Sequence, residues 1–158
     1  MRYILLVIAF LLSGCASTEH KYLSEVDQIR SANVDSLNNL ILEYKSKSGQ
    51  FPLQSEIKDR NIQVFISNGT IPQWLTGLTT QSPIATYSRA QLEQDIEKVL
   101  GNSIEILSEP HTGKTYAPDF YVYYVKKDRA CVAGYLHYRA SKTKNIQNNY
   151  YKYELCNE

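Results

Sequence analysis

The sequence predicts an α+β domain: a long N-terminal helix packed on a C-terminal antiparallel sheet of three to four strands, with a second, short helix between them. Three observations carry this prediction. Apolar residues recur at three- and four-residue steps across residues 24–48. A capped segment, 89–100, repeats the helical period. The last third holds three runs rich in aromatic and β-branched residues, at 120–125, 131–139 and 150–156.

The chain has a basic start, Met1-Arg2, followed by an apolar run from Tyr3 to Leu12, two small residues and Cys15. That order is the order of a secretory signal. The run is too short to span a bilayer, which takes ~20 apolar residues. Leu12-Ser13-Gly14-Cys15 resembles the lipobox of bacterial lipoproteins at all four positions. The resemblance implies diacylglycerol on the Cys15 sulfur, cleavage between Gly14 and Cys15, and acylation of the new amino terminus. Ala16 rather than Asp follows the cysteine. In lipoproteins of Gram-negative type this implies transfer to the outer membrane, facing the periplasm. The expected organisation is a signal peptide at 1–14, a lipidated tether at 15–22 and one α+β domain at 23–158.

The first domain helix is expected over 24–48. Leu23, Val26 and Ile29 open its apolar stripe, and Leu37, Leu40, Ile41 and Tyr44 continue it. Asn33 interrupts the stripe, so a bend or break is expected near 33–36. Lys45 and Lys47 suit the negative end of the helix dipole, Gly49 suits the left-handed position beyond it, and Pro52 follows. One helical turn is expected at 55–60 and a short strand at 63–66, ending at the turn signal Asn68-Gly69. Residues 71–83 read as loop. Ser88 and Gln91 form a capping box for the second helix, with Leu92, Ile96, Val99 and Leu100 on its apolar face and Gly101 as its stop. Residues 103–107 alternate as a strand would. The three final runs form a meander, with a turn at 126–129 and a polar loop at 141–149.

Residues 40–52 resemble the globular part of type IV pilins and type II secretion pseudopilins. There a long helix ends in an aliphatic-x-x-Tyr stretch, then a polar run, Gly, an aromatic and Pro; here these are Ile41, Tyr44, Gly49, Phe51 and Pro52. Pro110, Gly113 and Tyr116 resemble the Pro-x-x-Gly-x-x-Tyr loop before the pseudopilin sheet. A cysteine pair near the C-terminus is also common in pilins. The resemblance implies a pilin-like fold and a role beside a secretion or pilus machine. It differs at the N-terminus, where a pilin keeps its apolar helix and the lipobox marks the same segment for removal.

Removing Arg2 from the seventeen basic residues leaves sixteen, against sixteen acidic ones. A near-neutral domain argues against a nucleic-acid partner. Besides Cys15, the cysteines are Cys131 and Cys156. In an oxidising compartment they are expected to pair, two buried free thiols being the alternative. Period-2 phase puts both opposite the more apolar faces of their strands, Val132-Leu136-Tyr138 and Tyr151-Tyr153-Leu155.

No catalytic set and no metal or cofactor site is expected. Gly113-Lys114-Thr115 lacks the first glycine of a phosphate loop, since Ser108 stands there. His20, His111 and His137 lack ligand spacing. Asp95 and Glu97 read as solvated charges on a helix flank. Thirteen tyrosines stand against four phenylalanines and one tryptophan, and tyrosine suits half-buried strand faces and interfaces. Trp74, His111, Tyr121, Tyr123 and Tyr135 are candidate partner contacts. Function is expected to lie in binding: a periplasmic lipoprotein held in a lipid bilayer and serving an envelope protein partner. The alternatives are an inhibitor or immunity protein directed at a toxin or lysozyme, and, third, a small hydrolase using His111 or His137.

Overall fold

Helix α1 runs without a break from Arg2 to Ser48 in a computed structural model of the chain. The structure describes residues 2–57, 60–67, 84–107, 120–138, 143–145 and 151–158. Side chains are described from His20 onward, apart from Ile84 and residues 143–145. The expected start at residue 24 is overtaken because residues 16–22 contain neither Gly nor Pro to stop a helix. Among the described residues no helix is long and apolar enough to cross a membrane.

The face that α1 buries is Leu23, Asp27, Arg30, Val34, Leu37, Ile41 and Tyr44, a regular four-three alternation, with Val26 and Asn38 beside it. This corrects the predicted stripe at one point. Ile29 is half exposed, and the charged pair Asp27 and Arg30 takes the inward positions. The expected break near Asn33 is absent. The Asn33 amide donates to the Tyr121 hydroxyl (3.0 Å), and Asp35 accepts from the Tyr153 hydroxyl (2.7 Å). The polar residues flanking the stripe bond helix to sheet.

The C-terminal stop is as predicted. Gly49 adopts φ 77°, and its N–H donates to the Lys45 carbonyl (2.8 Å). A 3-10 turn, Gln54–Glu56, follows. Strand β1 spans Asn61–Ser67, β2 Ile84–Tyr87, β3 Phe120–Val125, β4 Ala130–Leu136, β5 Thr143–Asn145 and β6 Tyr151–Asn157. Helix α2 spans Arg89–Leu100, with the expected capping box of Ser88 and Gln91 and with Gly101 beyond it at φ 79°.

Five strands of four to seven residues and the three-residue β5 form one sheet, in the order β2-β1-β3-β4-β6-β5. The α+β class holds, but the sheet is larger than three to four strands, and it is mixed because β2 lies parallel to β1. The additions are short or polar segments that periodicity cannot detect: Ile84-Ala85-Thr86-Tyr87 after Pro83, and Thr143-Lys144-Asn145 inside the predicted loop. Residues 103–107 do alternate in burial, yet they join no strand. The backbone N–H of Ile104 donates to Glu97 and that of Ile106 to Glu93, both at 2.9 Å, so this segment is held on α2.

One core lies between the sheet and the two helices. Ile62, Val64 and Ile66 of β1, Tyr121, Tyr123 and Val125 of β3, and Ala130, Val132 and Leu136 of β4 meet Val34, Leu37 and Ile41 of α1 and Leu92 and Ile96 of α2. Gly134 makes the closest approach possible, since a Cβ there would stand 2.9 Å from Val34 Cγ2. On the opposite face Phe65, Phe120 and Val122 form a second buried cluster, with Tyr124 and Tyr135 packed against it.

Candidate functional site

The most polar buried place among the described residues lies where α1 enters the domain. Asp27 and Arg30, one turn apart on the inward face, meet the residues just beyond β4. The Asp27 carboxylate accepts from the backbone N–H of His137 (2.9 and 3.0 Å) and from that of Tyr138 (2.9 Å). His137 Nδ1 lies 2.9 Å from Asp27 Oδ1 and 3.1 Å from Arg30 Nη1. Arg30 Nη1 also donates to the Tyr135 carbonyl (3.2 Å) and stands 3.8 Å from Asp27. The Arg30 side chain is fully buried, and those of Asp27 and His137 are about nine-tenths buried. A proton on Nδ1 serves the carboxylate, while a lone pair there serves the guanidinium, so the ring cannot satisfy both at once. About two helical turns before Asp27, the His20 ring packs on the Tyr138 ring with centroids 4.4 Å apart.

This cluster is a clamp. Two successive backbone N–H groups point at one carboxylate, which fixes the end of β4 to one turn of α1. Removing one member of such a buried set costs about 3–5 kcal/mol, because the remaining charge is left without compensation. Nothing in the cluster resembles a nucleophile beside its base, and the carboxylate is fully engaged with donors. The sequence carried a signal for it that the predicted stripe passed over. Asp27 and Arg30 fall into the same four-three spacing as Leu23, Val34 and Leu37, and charges on an apolar face are rarely buried without partners.

At the opposite end of α1 the polar contacts are different. Asp95 of α2 accepts from the Tyr44 hydroxyl (3.1 Å) and from the backbone N–H of Leu53 (2.7 Å). Leu53 stands at φ 59°, an uncommon conformation for a side chain of this kind. Asp95 and Glu97 are therefore structural acceptors and not the solvated charges the sequence suggested. Burial, and next the Asp95 charge, pushes the Tyr44 hydroxyl up to about 12. The same two causes raise Tyr123 well above the ordinary phenol value, and its hydroxyl donates to the Pro52 carbonyl at 2.7 Å.

The predicted site residues lie in separate places. Gly14 and Cys15 lie on the α1 backbone. Cys131 and Cys156 form a disulfide between β4 and β6, where they are direct partners in register. The period-2 argument holds for them, since they lie on the sheet face away from the helices. Trp74 and His111, with the Pro110-Gly113-Tyr116 loop, lie outside the described residues. Tyr121 and Tyr123 are buried beneath the helices, which corrects their reading as partner contacts: they are core rings whose hydroxyls are tied to Asn33 and Pro52. Tyr135 lies on the other face, partly buried, with its ring 5.0 Å from that of Phe120. Beside the disulfide, the Tyr124 hydroxyl donates to Glu154 (2.7 Å), and Lys152 pairs with the same carboxylate.

Comparison with protein-family models, with curated proteins and with solved structures finds no match to this chain.

Proposed function

We propose that this chain is an envelope lipoprotein, anchored in a bilayer by acylated Cys15, that works by binding and without catalysis as an accessory of a secretion or pilus machine. The observation that carries the reading is Leu12-Ser13-Gly14-Cys15, set after a short apolar run. Supporting it are a disulfide suited to an oxidising compartment and a helix-on-sheet arrangement of the kind the pilin resemblance implies. The outer membrane, facing the periplasm, is the proposed location, on the strength of Ala16.

The test has two arms. Cells grown with labelled fatty acid should yield labelled protein, and Cys15→Ala should leave an unlabelled precursor. Crosslinking in intact cells, followed by purification of the lipidated form and mass spectrometry, should recover a structural component of an envelope machine. Recovery of a toxin or a lysozyme instead would replace the accessory reading with that of an inhibitor. Lack of label in the wild type would remove the anchor.

A further inference from the structure

The geometry points to a lipid-facing end of the domain. We infer that the surface formed by His20, Lys21, Tyr22 and Tyr138 rests on phospholipid headgroups, with α1 as a rigid stand-off that sets the orientation of the sheet. This inference rests on the reading that Cys15 carries lipid.

The domain grips α1 as far down as His20, through the ring contact with Tyr138, and locks it about two to three turns later through Asp27 and Arg30. The backbone is helical throughout the interval from Cys15 to His20. Those five residues span ~7.5 Å as a helix, against ~17 Å for an extended chain. The interfacial layer on each side of a bilayer is ~5–8 Å thick. A helix rising from an acylated Cys15 therefore brings His20 and Tyr138 to the outer edge of the headgroups. The exposed side chains at that level suit the position. Tyr22 is half exposed, and His20 and Lys21 are exposed. An amphipathic ring and a lysine are the residues that settle at membrane interfaces. The other end of the domain, where Lys45 meets the carbonyl of Glu158 and residues 126–129 turn, points away from the lipid. That end is then the one displayed to partners.

Hydrogen exchange on the full-length lipidated protein tests this, in vesicles of phosphatidylethanolamine and phosphatidylglycerol. The comparison is a variant with a twelve-residue Gly-Ser insertion after Ser17, which leaves the lipobox and the gripped part of the helix intact. In the wild type, peptides covering 18–25 and 135–138 should exchange at least five-fold more slowly in vesicles than in detergent. Peptides covering 45–50 and 124–130 should not change. The insertion should abolish the vesicle effect at 135–138. Equal exchange in vesicles and detergent, with both proteins carrying fatty acid, overturns the proposal alone. Protein without fatty acid overturns the anchored reading and the proposal with it.

Discussion

Gly134→Ala is the sharpest probe of how the helix sits on the sheet. Gly134 lies inside β4, and an added Cβ would stand 2.9 Å from Val34 Cγ2 and 3.2 and 3.4 Å from two ring carbons of Tyr121. Neither neighbour yields easily. Val34 is fully buried with a stiff β-branched side chain, and the Tyr121 ring is buried and tied to Asn33. In an open strand Ala would be more stable than Gly by about 0.5–1 kcal/mol. Here the overpacking term, about 1–3 kcal/mol, is the larger of the two. The expected net loss is about 1–2 kcal/mol, or a fall in Tm of about 3–8 °C for a domain of this size. Thermal unfolding followed by circular dichroism measures it. Val34→Ala removes the closest contact, so the double variant should be at least about 1 kcal/mol more stable than the sum of the single changes. A Gly134→Ala protein that melts at or above the wild-type temperature would refute this reasoning, as would strict additivity in the pair.

Three other outcomes are expected. Asp27→Ala should destabilise the domain by about 3–5 kcal/mol, since Arg30 and two backbone N–H groups lose their carboxylate; a urea titration in which its midpoint barely moves would show that the clamp is idle. Cys156→Ser should cost about 3.5 kcal/mol on the chain-entropy estimate for the 25-residue separation it closes, and dithiothreitol should then no longer change the stability of the variant. Tyr44, Tyr135 and Tyr153 are each raised from 10 to about 12, chiefly by burial and next by Asp95, Glu154 and Asp35 respectively. A raised acid of this kind contributes stability that is complete below pH 10 and is lost as the pH climbs toward 12. Absorbance at 295 nm should therefore rise in two phases, the second coinciding with loss of the circular dichroism signal; a single phase near pH 10 with the fold intact would contradict the assigned burial.

How much of this was legible in the chain differs by element. Helix α2 was fully legible, because Ser88, Gln91 and Gly101 are local signals that act through their own backbone. The bounds of β3 were legible for a related reason, since six consecutive aromatic and β-branched residues leave no other reading. The phase of the cysteines followed from the pleat. The clamp was not found, because a hydrophobic scale scores Asp27 and Arg30 as surface and prefers Ile29. Their burial depends on two N–H groups 110 and 111 residues away. Tyr121 and Tyr123 were misplaced for the converse reason. Tyrosine is indifferent to which face it occupies until its hydroxyl has an acceptor or donor, and Asn33 and Pro52 provide those only in the folded chain. β2 and β5 are too short to show a period, and pairing alone defines them.

Helix α1 rests on β4 and β6, the last two long strands of the chain, through contacts between residues 105 to 119 positions apart. A polypeptide delivered N-terminus first therefore presents this helix long before its seat exists. Val34, Leu37 and Ile41 are not fully covered until β4 and β6 have emerged. Docking of the helix is then a late and slow event, since loops of 105 to 119 residues must close to achieve it. A truncation of only the last strand would leave the helix its contacts with β4 and strip it of those with β6, among them the Asp35–Tyr153 and Asn38–Asn157 bonds.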